Sequence, residues 1–256
     1  ESDNFAVFGV LEANPGKDGL VVSSIEHPAV LRAANHLEKK GYKVAYLPVD
    51  RAGIVDLDAL KDALTPGTAL VSVMLANNEI GTIQPIKEIV RIAHDKGVLV
   101  HTDAVQGFGK IDVKVDDLGV DLLTVASHKI YGPKGVGALY VRKGTSIAPF
   151  IHGGHQEKEL RAGTENTIGI VGFGEAARIL GERAKKDRER IEKQADRLKA
   201  GIEAAVPQVH FNGHPARRVK STLNFSFPGL EGEAILLALA TKEIYVSTGS
   251  ACSEGS

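Results

Sequence analysis

Two residues stand where a strand-forming run gives out, and both carry chemistry unusual for that position. Asp103 closes "VLVHTD" (98–103), and Lys129 follows "DLLTVAS" (121–127) in "ASHKIYGPKGVG". A lysine arriving directly off a buried strand has little room to keep its charge solvated. Desolvation lowers its proton affinity and makes the neutral amine available as a nucleophile. A carboxylate at a nearby strand end can hold a pyridine nitrogen protonated, and lysine as Schiff base with aspartate at the ring nitrogen is the signature of pyridoxal-phosphate chemistry. Taken alone, Lys129 reads first as a surface lysine after a strand. The Gly-Pro-Lys-Gly turn at 132–135 shifts that balance, because it re-aims the chain where the backbone must approach something closely.

A third reactive group is Cys252, the one cysteine among 256 residues, set in "STGSACSEGS" (247–256). A structural cysteine usually sits among large apolar neighbours, whereas Ser, Thr, Gly and Ala favour a loop. His152 and His155 in "HGGHQE" have a spacing seen in some metal sites. Zinc needs three or four ligands, and no Cys or carboxylate cluster completes the set nearby, so no metal is expected.

The elements that must position these groups alternate along the chain. "LVVSS" (20–24) precedes "PAVLRAANHLEKKG", with Pro28 suited to a helix N-terminus and Gly41 to its C-cap. "KVAYLPV" (43–49) precedes "DLDALKDAL", and "ALVSVML" (69–75) precedes "PIKEIVRIAHDKG". "VLVHTD", "DLLTVAS" and "GVGALYVR" (135–142) complete the set of strands. Runs this apolar are buried on both faces, which predicts an α/β fold with a mostly parallel sheet covered by helices. In such sheets ligands bind at the carboxyl ends of the strands.

Residues 143–166 show no period and are long for a loop, as in loops that are functional or disordered. A long helix is expected from about Ile168 to Gly201, its charge run forming a solvated face. "STLNFSF" (221–227), a helical "GEAILLALATK" and a short "IYVST" then suggest the start of a smaller α/β domain. The expected division is a large domain over 1–185 and part of a small one over 186–256. Both ends read as cut: "ESDNFAVFGVLEA" is a helix already under way, and the chain halts inside the cysteine loop.

Composition excludes several classes. Lys+Arg 31 against Asp+Glu 32 gives no electrostatic case for nucleic acid or a membrane surface. No run of about 18 apolar residues is present to span a bilayer. A lone cysteine rules out an intrachain disulfide and fits a reducing compartment, cytoplasmic or an organellar matrix.

Six stretches, "IEHPAV", "ANNEIGTIQPI", "VHTDAVQGFGK", "ASHKIYGPKGVGALYV", "HGGHQEKELRAGTEN" and "STGSAC", resemble in type and order the motifs of the NifS/IscS-type cysteine desulfurases, fold-type I, class V pyridoxal-phosphate enzymes. The resemblance implies that Lys129 forms the Schiff base, Asp103 pairs with the pyridinium nitrogen and Gln106 hydrogen-bonds the ring's phenolic oxygen. His27 would stack on the ring and handle protons, Asn78 would sit near the ring oxygen and the substrate carboxylate, and His128 would help bind phosphate. Thr164 would reach the phosphate of the partner subunit's cofactor, which implies a homodimer. Cys252 would take sulfur from L-cysteine as a persulfide, leaving L-alanine, and pass it to an iron–sulfur scaffold or another acceptor protein. Its thiolate requires a local feature that lowers the thiol below its free value of about 8.5.

The family commonly has Ser where Ala126 stands here, as a phosphate ligand, and the adjacent Ser127 is the residue available to compensate. A "GAT" phosphate turn before Glu1 and a carboxylate-binding Arg beyond Cys252 also belong to the pattern and lie outside this chain. Two rival readings stand: a selenocysteine lyase of the same fold, and a non-catalytic sulfur-relay or scaffold relative that has lost the cofactor.

Overall fold

The alternating runs fold into a layered α/β body, and the computed structural model describes residues 1–249. In chain order the elements begin with α1 (Ser2–Ala13), β1 (Gly19–Ser23), α2 (Pro28–Lys39), β2 (Lys43–Leu47), α3 (Leu57–Ala63) and β3 (Thr68–Ser72). They continue with α4 (Ile86–His94), β4 (Leu99–Asp103), α5 (Val115–Leu118), β5 (Leu122–Ala126) and β6 (Gly137–Val141). The remainder comprises α6 (Thr167–Ala205), β7 (His210–Phe211), β8 (Phe225–Ser226) and α7 (Gly232–Ala240).

One six-stranded sheet runs in the order β2-β1-β3-β4-β5-β6. Its first five strands are parallel, and β6 is antiparallel to β5. Successive side chains on a strand point to opposite faces, and the two cores divide accordingly. Val21, Val71 and Leu123 pack on one side with α3, α4 and α5. Leu20, Leu70 and Leu122 pack on the other with α1 and α2. The central strands β1 and β3 are buried throughout, as expected for a sheet covered on both faces.

Local signals mark the helix ends. His27 caps α2, Pro28 occupies its first turn, and Gly41 takes φ +92 just past the C-cap Lys40. The long helix α6 carries its charge run as ion pairs such as Arg178–Glu182, and only Gly169 and Ala195 on it are buried. The expected domain boundary at 185/186 falls inside this helix. In the last segment "STLNFSF" narrows to the two residues of β8, paired with β7. "IYVST" forms no strand; Tyr245 is 83% exposed and no strand edge among the described residues pairs with it. No helix among the described residues is long and apolar enough to cross a membrane.

The irregular stretch 143–166 is anchored along α1. Ala148 N–H donates to the Gly9 carbonyl at 2.9 Å, and Phe150 stacks on Phe5 with ring centroids 5.4 Å apart. The bridge Ile151–Arg161 and a short 3-10 turn at Gln156–Glu159 then bring the loop back over the ends of the strands.

Candidate active site

Four parallel strands end on the same side of the sheet, and the chain leaving each end borders one cavity of about 1210 Å³. After β1 comes His27, after β3 Asn78, after β4 Gln106, and after β5 His128 and Lys129. Thr164, on the returning loop, closes the same space. The topology therefore brings together residues spread over 137 positions, from His27 to Thr164.

Asp103 is buried at the end of β4, and its Oδ1 accepts the Val105 N–H at 2.8 Å. Burial, and then the charge of Asp3, push its carboxyl above the usual carboxylate range. The Val105 hydrogen bond and the Lys129 ammonium pull the other way. Lys129 sits on a 3-10 turn over Ser127–Ile130 and is only partly buried, so the sequestered position expected of a residue directly off a strand is not realised. It borders the cavity rather than being enclosed by the core.

The Nδ1 of His27 accepts the Ala29 N–H at 3.2 Å, which places the proton of the neutral ring on Nε2. Partial burial lowers its proton affinity, with Asp3 opposing and Lys129 reinforcing the effect. His128 is likewise lowered, by desolvation first and then by Lys129 and Lys134.

Ser127 stands differently from the rest. Its side chain is fully buried, its Oγ has no hydrogen-bond partner, and a methyl placed on Gly132 would overlap that oxygen. Ala126 borders the cavity and Ser127 does not. A residue stepping off the strand into a 3-10 turn points its side chain inward, away from where the Ala126 methyl faces. Cys252 lies outside the described residues; Ser247 and Gly249, shortly before it, line the cavity. His155 pairs with Glu159 at 2.6 Å, and no cluster of three or more His, Cys, Asp or Glu side chains suited to a metal ion occurs among the described residues.

Three buried groups under the site escape a reading of the sequence. Asp3 is buried in the first turn of α1 with an unpartnered Oδ1, 3.7 Å from His101 Nε2. His101 is fully buried between Ser72 Oγ (2.8 Å) and Thr124 Oγ1 (3.0 Å), and desolvation lowers its pKa to about 4, leaving it neutral. Glu26, fully enclosed beside His27, is raised to about 8, chiefly by burial. The only sequence signal is adjacency: Glu26 precedes His27, and His101 is two residues before Asp103.

The aminotransferase class-V family model matches residues 1–256. A curated protein from Clostridium botulinum (strain Hall), named cysteine desulfurase IscS, is 49% identical over 259 residues, covering 100% of this chain and 65% of the relative. The chain thus spans about two thirds of the length of the curated relatives it matches. A solved structure described as a NifS-like protein superposes with a TM-score of 0.92 at 41% identity, covering 96% of this chain and 68% of that one. Another, described as SspA in complex with cysteine, has a TM-score of 0.82 at 34% identity, covering 99% and 70%.

Proposed function

Because the chain belongs to the aminotransferase class-V family, we propose that the protein is a pyridoxal-phosphate-dependent cysteine desulfurase, converting L-cysteine to L-alanine with a persulfide on Cys252. The observation that carries this reading is the convergence of Lys129, Asp103, His27, Asn78 and Gln106 on one cavity at the carboxyl ends of the strands. The names of the relatives and the cysteine held by SspA support the choice of substrate.

The residues present fit the cofactor. Buried Asp103 lines the cavity and supplies an acidic group suited to a cationic ring nitrogen. His128 also borders the cavity and offers a ring nitrogen to the phosphate. When bound, the group supplies an electron sink for bonds at the substrate α-carbon, with the Lys129 amine as its anchor. Within this arrangement His27 is a neutral ring with its proton on Nε2, able to move that proton at the cavity wall. Asn78 offers an amide to a carboxylate, and Gln106 an amide to a ring oxygen. Thr164 is assigned to the cofactor phosphate of a second subunit, so the working protein is a homodimer, cytoplasmic or in an organellar matrix. The small unit from 186 onward carries the thiol. The sulfur goes to an iron–sulfur scaffold or another acceptor protein.

The test is to add pyridoxal phosphate and then L-cysteine with a reductant. A visible band on cofactor binding, followed by stoichiometric alanine and sulfide, supports the reading; selenocysteine turned over with cysteine untouched would move it to the lyase. Ala126 and the inward Ser127 favour a second reading, a sulfur-relay protein without cofactor, which predicts no visible band at all.

A further inference from the structure

Lys110 lies four residues beyond Gln106, in a tight turn held by Phe108 N–H to the Ala104 carbonyl (2.8 Å) and Lys110 N–H to the Gly107 carbonyl (3.0 Å). The turn folds the lysine back, and its Nζ donates a short hydrogen bond to Gln106 Oε1. Gln106 borders the cavity and Lys110 does not. An ammonium can only donate, while an amide offers one acceptor oxygen and a pair of N–H donors. Bonding to Lys110 therefore selects one of the two amide orientations, which without it would be close in energy.

We propose that Lys110 is a positioning residue, fixing the Gln106 side chain with its N–H donors turned toward the cavity and its oxygen turned away. This rests on the reading of the cavity as a pyridoxal-phosphate site, where the donors meet the phenolic oxygen of the ring. A flipped amide would set its oxygen against that oxygen and destabilise the negative charge there. Lys110 itself is largely desolvated, and burial followed by the nearby Lys129 ammonium brings it down to about 8, so it stays mainly charged at neutral pH. A charged donor holds the amide more firmly than a neutral one.

The experiment uses the protein reconstituted with pyridoxal phosphate and reads the pH midpoint of the bound cofactor's visible band. Lys110→Met is expected to bind the cofactor and to move that midpoint up by about one pH unit, a tenfold gain in proton affinity. Lys110→Gln, which keeps an N–H donor without the charge, is expected to move it less. On a Gln106→Ala background, Lys110→Met should add much less, leaving only the direct effect of removing a charge near Lys129. A wild-type midpoint in Lys110→Met overturns the inference, as does an equal shift with and without Gln106, which would mean the charge acts alone. If Lys110→Met does not fold, Lys110→Gln is compared with Gln106→Ala: a smaller shift supports the inference and an equal one overturns it. Absence of a visible band in the wild-type protein would instead overturn the cofactor reading beneath it.

Discussion

Glu26 Oε1 accepts the Met74 N–H at 2.8 Å, tying the residue before His27 to the segment that leads from β3 to Asn78. The same oxygen takes the Ser23 hydroxyl, while Oε2 is buried without a partner. With its pKa raised to about 8, Glu26 is protonated when folded and ionised when unfolded between pH ~4.5 and 8. In that window the folded state binds the extra proton, so stability falls as pH rises, by about 1.4 kcal/mol per unit from this group. His101, held near 4, has the opposite slope up to about pH 6.5, where it no longer titrates in either state. Between pH 6.5 and 8 buried Asp103, raised to about 8, adds a falling slope of its own, which is common to wild type and a Glu26 variant, so Glu26 is read there from the difference between the two. Glu26→Gln keeps the acceptor and removes the proton, so urea unfolding should show it gaining on wild type by about 2 kcal/mol across that window. Parallel pH profiles would contradict the assignment.

Ser127 and Gly132 should be energetically coupled. A Gly132→Ala methyl would run into Ser127 Oγ and is expected to cost about 1–3 kcal/mol by overpacking. Ser127→Ala discards a buried hydroxyl with no partner and should leave stability unchanged or higher. The double variant should recover part of the Gly132→Ala loss, with Ala176 Cβ still close. Thermal unfolding of all three variants measures this, and strictly additive losses would show that the two sites do not touch.

The cap on α2 separates two jobs of His27. His27→Asn keeps a side-chain acceptor for the helix start, while His27→Ala loses it and should cost about 1 kcal/mol. Both remove the ring from the cavity. Equal melting temperatures for the two variants would argue against the cap, whereas alanine production should fail in both.

Cys252→Ser should still take up pyridoxal phosphate and change the visible spectrum on adding cysteine, yet release no alanine. Alanine formed at the wild-type rate would remove Cys252 from the sulfur path.

The central sheet was legible because the strands from β1 to β5 are short apolar runs, the first three of them each followed by an amphipathic stretch. The reversed direction of β6 was not, since an apolar run carries no sign of which way it pairs. "IYVST" reads as a strand by composition, but a strand also needs an edge to pair with. Lys129 and Asp103 stood out because polar chemistry at the end of an apolar run is unusual. Asp3 and Glu26 did not, because an acid in a helix's first turn or a loop ordinarily reads as solvated, and only the folded chain shows them enclosed. Ser127 was misleading for a related reason: one step past Ala126 the backbone turns into a 3-10 helix, and the hydroxyl goes into the core.

The most direct measurement is borohydride reduction of the protein saturated with pyridoxal phosphate, followed by peptide mapping. The account predicts one reduced pyridoxyl adduct per chain, on Lys129, lost in Lys129→Ala while the neighbouring Lys110 and Lys134 stay unmodified. An adduct on another lysine, or none, would contradict it.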